Sequence, residues 1–317
     1  MLRHYLQWHI IHSCNLHCTH CYQDDYLAKL SLPDMQVVLD KYEAYLKLHH
    51  YEGQVNLTGG EPLLHPDFWA VAGEIVGRRI RLGILTNGTL IDSEIANRIG
   101  KLRPVFVQVS IDGTKDIHDK IRSEGSFDKA FEGIDELKKA GVKVLVSFTA
   151  MKFNFRSFES VAAECKKHNV DKLWWDRVVS DDVNVYLTSA EFKEMSQKAV
   201  KCKKKYPFVS NDRALQGLLN NECGYECSVG KRLLIVLANG DMMACRRLPF
   251  VIGNIFEEDN LDALLLKSDV LKKLRHIPIP QECIGCRFSA KCAGGAKCVT
   301  YAETGRLDCK DVNCYLK

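Results

Sequence analysis

The chain has 317 residues, a formal net charge of +4 and 46% hydrophobic residues, enough for a sizeable core and, at this length, for two domains. So small a charge excess makes no case for nucleic acid or an anionic membrane as a partner. No window approaches the ~18 apolar residues of a membrane span, and the N-terminus lacks a secretory cleavage site, so a cytoplasmic protein is expected.

Through the first 180 residues, short apolar strands alternate with amphipathic helices. The first strand, "LQWHIIH", runs into "SCNLHCTHC", which holds Cys14, Cys18 and Cys21. A helix opens near Leu32-Pro33-Asp34, with proline in its first turn and Val37, Val38, Tyr42, Tyr45 and Leu46 at helical spacing. The second strand, "QVNLTG", is followed by Gly59-Gly60-Glu61-Pro62 and a helix over 66–78. "RLGILTN" leads to Thr86 and Asn87, then a helix over 91–100. "VFVQVSID" ends at Ser110 and Asp112, where Asp112 is expected to cap the next turn; Arg122 follows in "HDKIR". A helix over 126–140, the strand "VKVLVSFTA", a helix over 155–168 and the strand "KLWWDRVV", with Arg177 near its end, complete the series. Repeated β-α units imply a parallel sheet with helices outside it. Ligand sites in such sheets form at the C-terminal ends of the strands, and all of these motifs fall there.

Around residue 200 the pattern changes, which divides the chain into a 1–200 domain and a 201–317 domain. A helix over 188–206 starts at Thr188 or Ser189, with Glu191 as its capping partner. "RLLIVLANGDMMACRR" reads as a hairpin about Asn239-Gly240. Residues 261–275 read as a helix. The tail from Pro280 has little hydrophobic periodicity and is expected to be held by metal ligation instead.

Fourteen cysteines need a reason. In a reducing compartment disulfides are the weaker one. Cys165 and Cys202 lie in helical patterns and read as plain thiols; the other cysteines fall into an N-terminal and a C-terminal group. Three thiols in one loop suit an iron–sulfur cluster with an open corner. Zinc is the alternative, if His12, His17 or His20 closes the site.

The run Cys14-Asn15-Leu16-His17-Cys18-Thr19-His20-Cys21 after the first strand, "GGEP" after the second, and the β-α series together resemble the radical S-adenosylmethionine (SAM) superfamily, over roughly residues 5–180. The resemblance implies an α/β fold, a partial (β/α)6 barrel. It implies a [4Fe–4S] cluster on Cys14, Cys18 and Cys21, with SAM on the open iron. Gly59 and Gly60 would allow close backbone approach to the SAM amino group, and Glu61 would orient it. Thr86, Asn87 and Ser110 would bond the ribose or the methionyl carboxylate. Arg122 or Arg177 would pair with that carboxylate, and a structural ion pair is the equal alternative for each.

Cys227-x12-Gly240-x4-Cys245, then Cys283-x2-Cys286-x5-Cys292, resemble the SPASM extension of that superfamily, a small cysteine-rich domain with one or two auxiliary [4Fe–4S] clusters. Its pattern continues with a cysteine at position 296, where this chain has Ala296 and the next cysteine is Cys298. The resemblance implies a first auxiliary set of Cys223, Cys227 and Cys245, with Cys298 as fourth ligand. It implies a second set of Cys283, Cys286, Cys292 and Cys314, with Cys309 as the alternative to Cys314. A zinc ribbon over 283–314 is the competing reading. If unligated, Cys298 or Cys223 would be a hydrogen-atom donor to a substrate radical.

By resemblance, the expected activity is radical oxidation or crosslinking of a peptide or protein side chain. The alternative is modification of a small molecule, for example decarboxylation of a tetrapyrrole side chain. The expected partners are the substrate and a flavodoxin- or ferredoxin-type electron donor; since the chain starts close before its first strand, either a separate leader-binding protein or the barrel itself would bind a leader. No nucleic acid or membrane is expected.

Overall fold

The computed structural model describes residues 2–21, 23, 27–221, 225 and 227–316. Its first half is β1 (Arg3–Ile11), α1 (Leu32–Leu48), β2 (Glu52–Gly59), α2 (Phe68–Gly77), β3 (Arg81–Thr86), α3 (Ser93–Leu102), β4 (Phe106–Ser110), α4 (Lys115–Ile121), α5 (Ser126–Lys139), β5 (Val144–Ala150), α6 (Phe158–Lys167) and β6 (Lys172–Arg177). Then come α7 (Ser189–Lys205), β7 (Val209–Ser210), β8 (Leu233–Val236), β9 (Asp241–Met243), β10 (Val251–Asn254), α8 (Leu261–Lys267), α9 (Asp269–Arg275), α10 (Ser289–Cys292) and α11 (Lys297–Thr304). Two helix starts are set by local chemistry. Ser31 with Asp34 closes a capping box on α1, and Thr188 with Glu191 closes one on α7.

One ten-stranded sheet runs in the order β10-β9-β8-β1-β2-β3-β4-β5-β6-β7. Strands β1 to β7 pair in parallel, β8 joins β1 in parallel, and β9 and β10 turn antiparallel. The sheet is open: β7 and β10 are its edges among the described residues. Alternate residues such as Leu6, Trp8, Ile10, Val55, Leu57, Ile84, Val107 and Val109 are fully buried in the main apolar core. Each such side chain contributes about 1.5–3 kcal/mol. The helix-covered outer face thus carries the stability, which leaves the inner face free to be polar.

Several expectations change. The hairpin about Asn239-Gly240 does not stand apart, because β8 hydrogen-bonds to the free side of β1 and extends the main sheet. Residue 200 lies inside α7, and both sheet edges come from beyond it, so one sheet crosses the division expected at 200/201. The helix expected over 261–275 is two helices broken at Ser268, whose hydroxyl accepts from Leu271 N–H to start the second. Helices α4 and α11 were not expected. Among the described residues, no helix is long and apolar enough to cross a membrane.

Candidate active site and auxiliary cysteine sites

Parallel strands deliver their C-terminal ends to one rim, and the loop after β1 lies across it. Gly60 N–H donates to Ile11 O (2.8 Å) and Glu61 N–H to Ser13 O (2.9 Å). A side chain on Gly59 would collide with the Ile11 carbonyl, and one on Gly60 with those of His12 and Ser13. Both glycines are therefore required by this chain's own backbone, which packs the thiol loop onto the end of β2.

Glu61 is fully buried. Its carboxylate accepts from Thr86 Oγ1 (2.8 Å), Asn87 N (2.8 Å) and Leu63 N (3.3 Å). Burial lifts its pKa to about 7, although these donors pull the other way. Glu61 and Thr86 therefore bond each other and clasp the ends of β2 and β3. Asn87 Nδ2 donates to Asn15 Oδ1 (2.9 Å) and lies 3.9 Å from Cys14 Sγ. Ser110 Oγ sits on the inner face, 3.4 Å from Ser147 Oγ.

The two arginines part company. Arg122 binds Asp112 through Nε (2.8 Å) and Nη2 (2.6 Å), and its Nη1 lies 3.6 Å from Cys18 Sγ. It stands on the thiol loop with its charge already matched, not as a spare partner for a carboxylate. Asp112 does not cap the next turn: it is fully buried, accepts from Thr149 N–H (2.8 Å) and faces His20 at 3.6 Å. Burial works against its ionisation, but Arg122 and His20 outweigh it and hold the carboxyl below its usual range. Arg177 serves the fold. It points outward from β6, is 4% exposed, and donates to Asp311 (2.6 and 2.9 Å) and Asn313 (2.8 Å) in the tail. It is a structural ion pair.

Within the thiol loop, Leu16 N–H donates to Cys14 Sγ (3.4 Å) and Gln23 N–H to Cys21 Sγ (3.4 Å). Burial raises the Cys14 thiol to about 11, and Glu61, Cys18 and Cys21 add to it. Burial also raises Cys18, against the pull of Arg122. Crowded thiols that repel one another's charge, yet receive N–H groups and a guanidinium, suit a multivalent iron–sulfur group that thiolates ligate. Among the described residues, no three Cys, His, Asp or Glu side chains converge as on a single bound ion.

Below this rim, the sheet face opposite the apolar core is polar. Gln7 pairs with His9 (3.2 Å), Gln54 with Asn56 (2.9 Å) and Gln108 with Ser147 (3.4 Å). His9 is fully buried, and its Nδ1 has no hydrogen-bond partner among the described residues. Its single signal in sequence was a histidine at an inward position of an apolar strand, which is weak evidence. Asp176 also faces inward and pairs with Arg247 (2.8 Å), two residues after Cys245. No local pattern ties those two positions together.

The C-terminal cysteines form two groups. Cys298 shares a hydrogen bond with Cys245, which draws Cys298 below the usual thiol range while Arg247 and Arg177 help against burial; Cys245 is pushed up. Tyr225 neighbours both Cys227 and Cys298. Cys223 lies outside the described residues. A second group, Cys283, Cys286, Cys292 and Cys314, lines one small cleft. Cys309 does not line it and sits 3.5 Å from Thr304 Oγ1. The departure at Ala296 has a simple cause. Its N–H donates to Asp311 (2.8 Å) as the cap of α11, so the first turn of that helix, at Cys298, is what meets Cys245. Cys165 and Cys202 are buried core thiols.

A buried ammonium adds a further sign of an anionic occupant. Lys297 is 4% exposed and its Nζ has no hydrogen-bond partner among the described residues. The chemistry of both cysteine groups and this orphaned cation fit iron–sulfur groups at the auxiliary sites.

Comparison with known proteins agrees. Residues 8–165 match the radical SAM superfamily and residues 227–287 the SPASM iron–sulfur cluster-binding domain. The chain is 26% identical to mycofactocin maturase MftC of Mycobacterium tuberculosis (strain ATCC 25618 / H37Rv), over 98% of this chain and 82% of that protein. It is 28% identical to the AdoMet-dependent heme synthase of Methanosarcina barkeri, over 95% of this chain and 93% of that protein. Its fold matches native anSMEcpe with bound AdoMet (TM-score 0.80, 18% identity, 98% of this chain and 93% of that one). It also matches Streptococcus suis SuiB (TM-score 0.79, 16% identity, 99% and 78%). The chain belongs to the radical SAM superfamily, with a [4Fe–4S] cluster and SAM as cofactors and a SPASM domain for auxiliary iron–sulfur clusters.

Proposed function

We propose that this enzyme oxidises or crosslinks a side chain of a peptide or protein substrate. The observation that carries this reading is relatedness over nearly the whole chain to a peptide maturase. The fold likeness to SuiB, which has also been solved bound to its precursor peptide SuiA, supports it. When bound and reduced by one electron, the cluster and SAM supply a 5′-deoxyadenosyl radical that takes a hydrogen atom from substrate.

The chain's own residues supply the rest. Cys14, Cys18 and Cys21 hold the cluster, and Arg122, fixed by Asp112, steadies Cys18. Asn87 and Ser110, with the Gly59-Gly60 ridge, form the wall that SAM meets. Gln7, His9, Gln54, Gln108 and Ser147 line the polar face of the sheet and give a peptide backbone partners to bond, while the helices outside keep water from the core. Cys227, Cys245 and Cys298 hold the first auxiliary cluster with Cys223. Cys283, Cys286, Cys292 and Cys314 hold the second. Cys298 is thereby a ligand rather than a hydrogen donor. A flavodoxin- or ferredoxin-type protein supplies the electron, and a reducing cytoplasm suits so many free thiols.

The test is turnover of a candidate precursor peptide with reduced, reconstituted enzyme and SAM, read by mass spectrometry. Formation of 5′-deoxyadenosine with loss of two hydrogens from the peptide is expected. A Cys14→Ala, Cys18→Ala, Cys21→Ala variant should form none. A second reading, tetrapyrrole modification, is favoured by the 28% identity to the heme synthase. Loss of carbon dioxide from an iron porphyrin with no change in peptide would establish it instead.

A further inference from the structure

Lys297 is a costly residue where it stands. It is 4% exposed, its Nζ has no hydrogen-bond partner among the described residues, and it opens helix α11. Burying an unpaired ammonium is strongly unfavourable. A cation at a helix N-terminus also faces the positive end of the dipole. Two costs at one position call for a compensating anion. The thiols within its electrostatic reach are Cys227 of the first auxiliary group, Cys283 and Cys292 of the second, and Cys309. The nearby carboxylate of Asp308 is engaged with Arg306 (3.0 Å). A methyl built on Gly294, which lines the second cleft, would lie 3.1 Å from Nζ, so the ammonium stands at that cleft's wall. Its chain neighbour Cys298 belongs to the first group.

We propose that the Lys297 ammonium is the shared counter-cation of the two auxiliary iron–sulfur sites and sets their reduction potentials. This rests on the cysteine assignment proposed above. Adding one electron to a thiolate-ligated cluster raises its negative charge by one. A fixed positive charge nearby favours the reduced form, and burial strengthens that effect. Lysine suits the task because its charge is a compact point on a flexible stem.

The test compares Lys297→Met, which keeps length and apolar bulk, with Lys297→Arg, which keeps the charge. Lys297→Gln replaces the methionine variant if that protein does not fold. Reconstituted holoenzymes are titrated potentiometrically and followed by electron paramagnetic resonance. A Cys14→Ala, Cys18→Ala, Cys21→Ala background isolates the auxiliary signals. The neutral variant should titrate lower, with about a tenfold smaller reduced fraction at a fixed potential, or about 59 mV for one electron. Lys297→Arg should stay near wild type. Unchanged auxiliary potentials in the neutral variant overturn the proposal, and so does an arginine variant that behaves like methionine. Cysteine variants that leave the auxiliary iron in place overturn the assignment beneath it, while 5′-deoxyadenosine formation by the wild type reports on the proposed function separately.

Discussion

At the scale of single residues, the rim works through matched buried charges. Glu61 is held near pH 7, whereas a free glutamate ionises near about 4.3. The folded chain binds that proton more tightly than the unfolded one. Stability contributed by the group therefore falls as pH rises from about 4.3 to about 7, by up to about 4 kcal/mol. Glu61→Gln cannot ionise. The melting temperature of the variant relative to wild type should climb through that window and level off above it. A difference that stays flat from pH 5 to pH 8 would show that Glu61 does not titrate there. Arg122 gives a second prediction. Its Nε and Nη2 serve Asp112 while Nη1 faces Cys18. A lysine ammonium cannot fork in this way. Arg122→Lys should therefore retain less iron after desalting than wild type and lose 5′-deoxyadenosine formation in proportion. Equal iron retention would rule out the steadying role.

At the scale of elements, strand β6 ends in two residues that face opposite sides. Asp176 points inward to Arg247, beside Cys245, and Arg177 points outward to the tail that carries Cys314. One dipeptide thus ties both cysteine groups to the barrel. Breaking a buried pair by removing one partner costs about 3–5 kcal/mol. Arg177→Met should lower the melting temperature markedly and release the tail. Arg177→Met combined with Asp311→Leu should recover part of the loss, because no charge is then left buried alone. Thermal unfolding of the two variants side by side decides it, and a double variant as unstable as the single one would count against the pair.

At the scale of the whole molecule, the two halves differ in what holds them. The outer face of β1–β6 buries a continuous apolar core, whereas residues 280–316 have short helices around a cleft lined by cysteines. Such a segment depends on its metal for order. Removing iron with a chelator should expose 280–316 to protease while the barrel survives as a resistant fragment, and reconstitution should restore protection. Uniform digestion of the whole chain would mean that iron does not hold the tail selectively.

Much of this was legible beforehand. Periodicity exposed β1 to β6 and their helices, because a parallel strand under helices must repeat apolar residues in runs that local sequence records. Cysteine spacing likewise exposed the thiol loop, since its three thiols fall within eight residues of one another. Other features had no local trace. Whether Arg122 and Arg177 face a cofactor or a carboxylate of this chain depends on Asp112, ten residues away, and on Asp311, 134 residues away. The joining of β8 to β1, the choice of Cys314 over Cys309 at the cleft, and the buried charge of Lys297 are equally non-local. The sequence by itself determined the barrel and its thiols, because those rest on short-range period and spacing. Only the tertiary structure decided which charges are spent on the fold, because a pairing of buried groups is set by where distant segments meet.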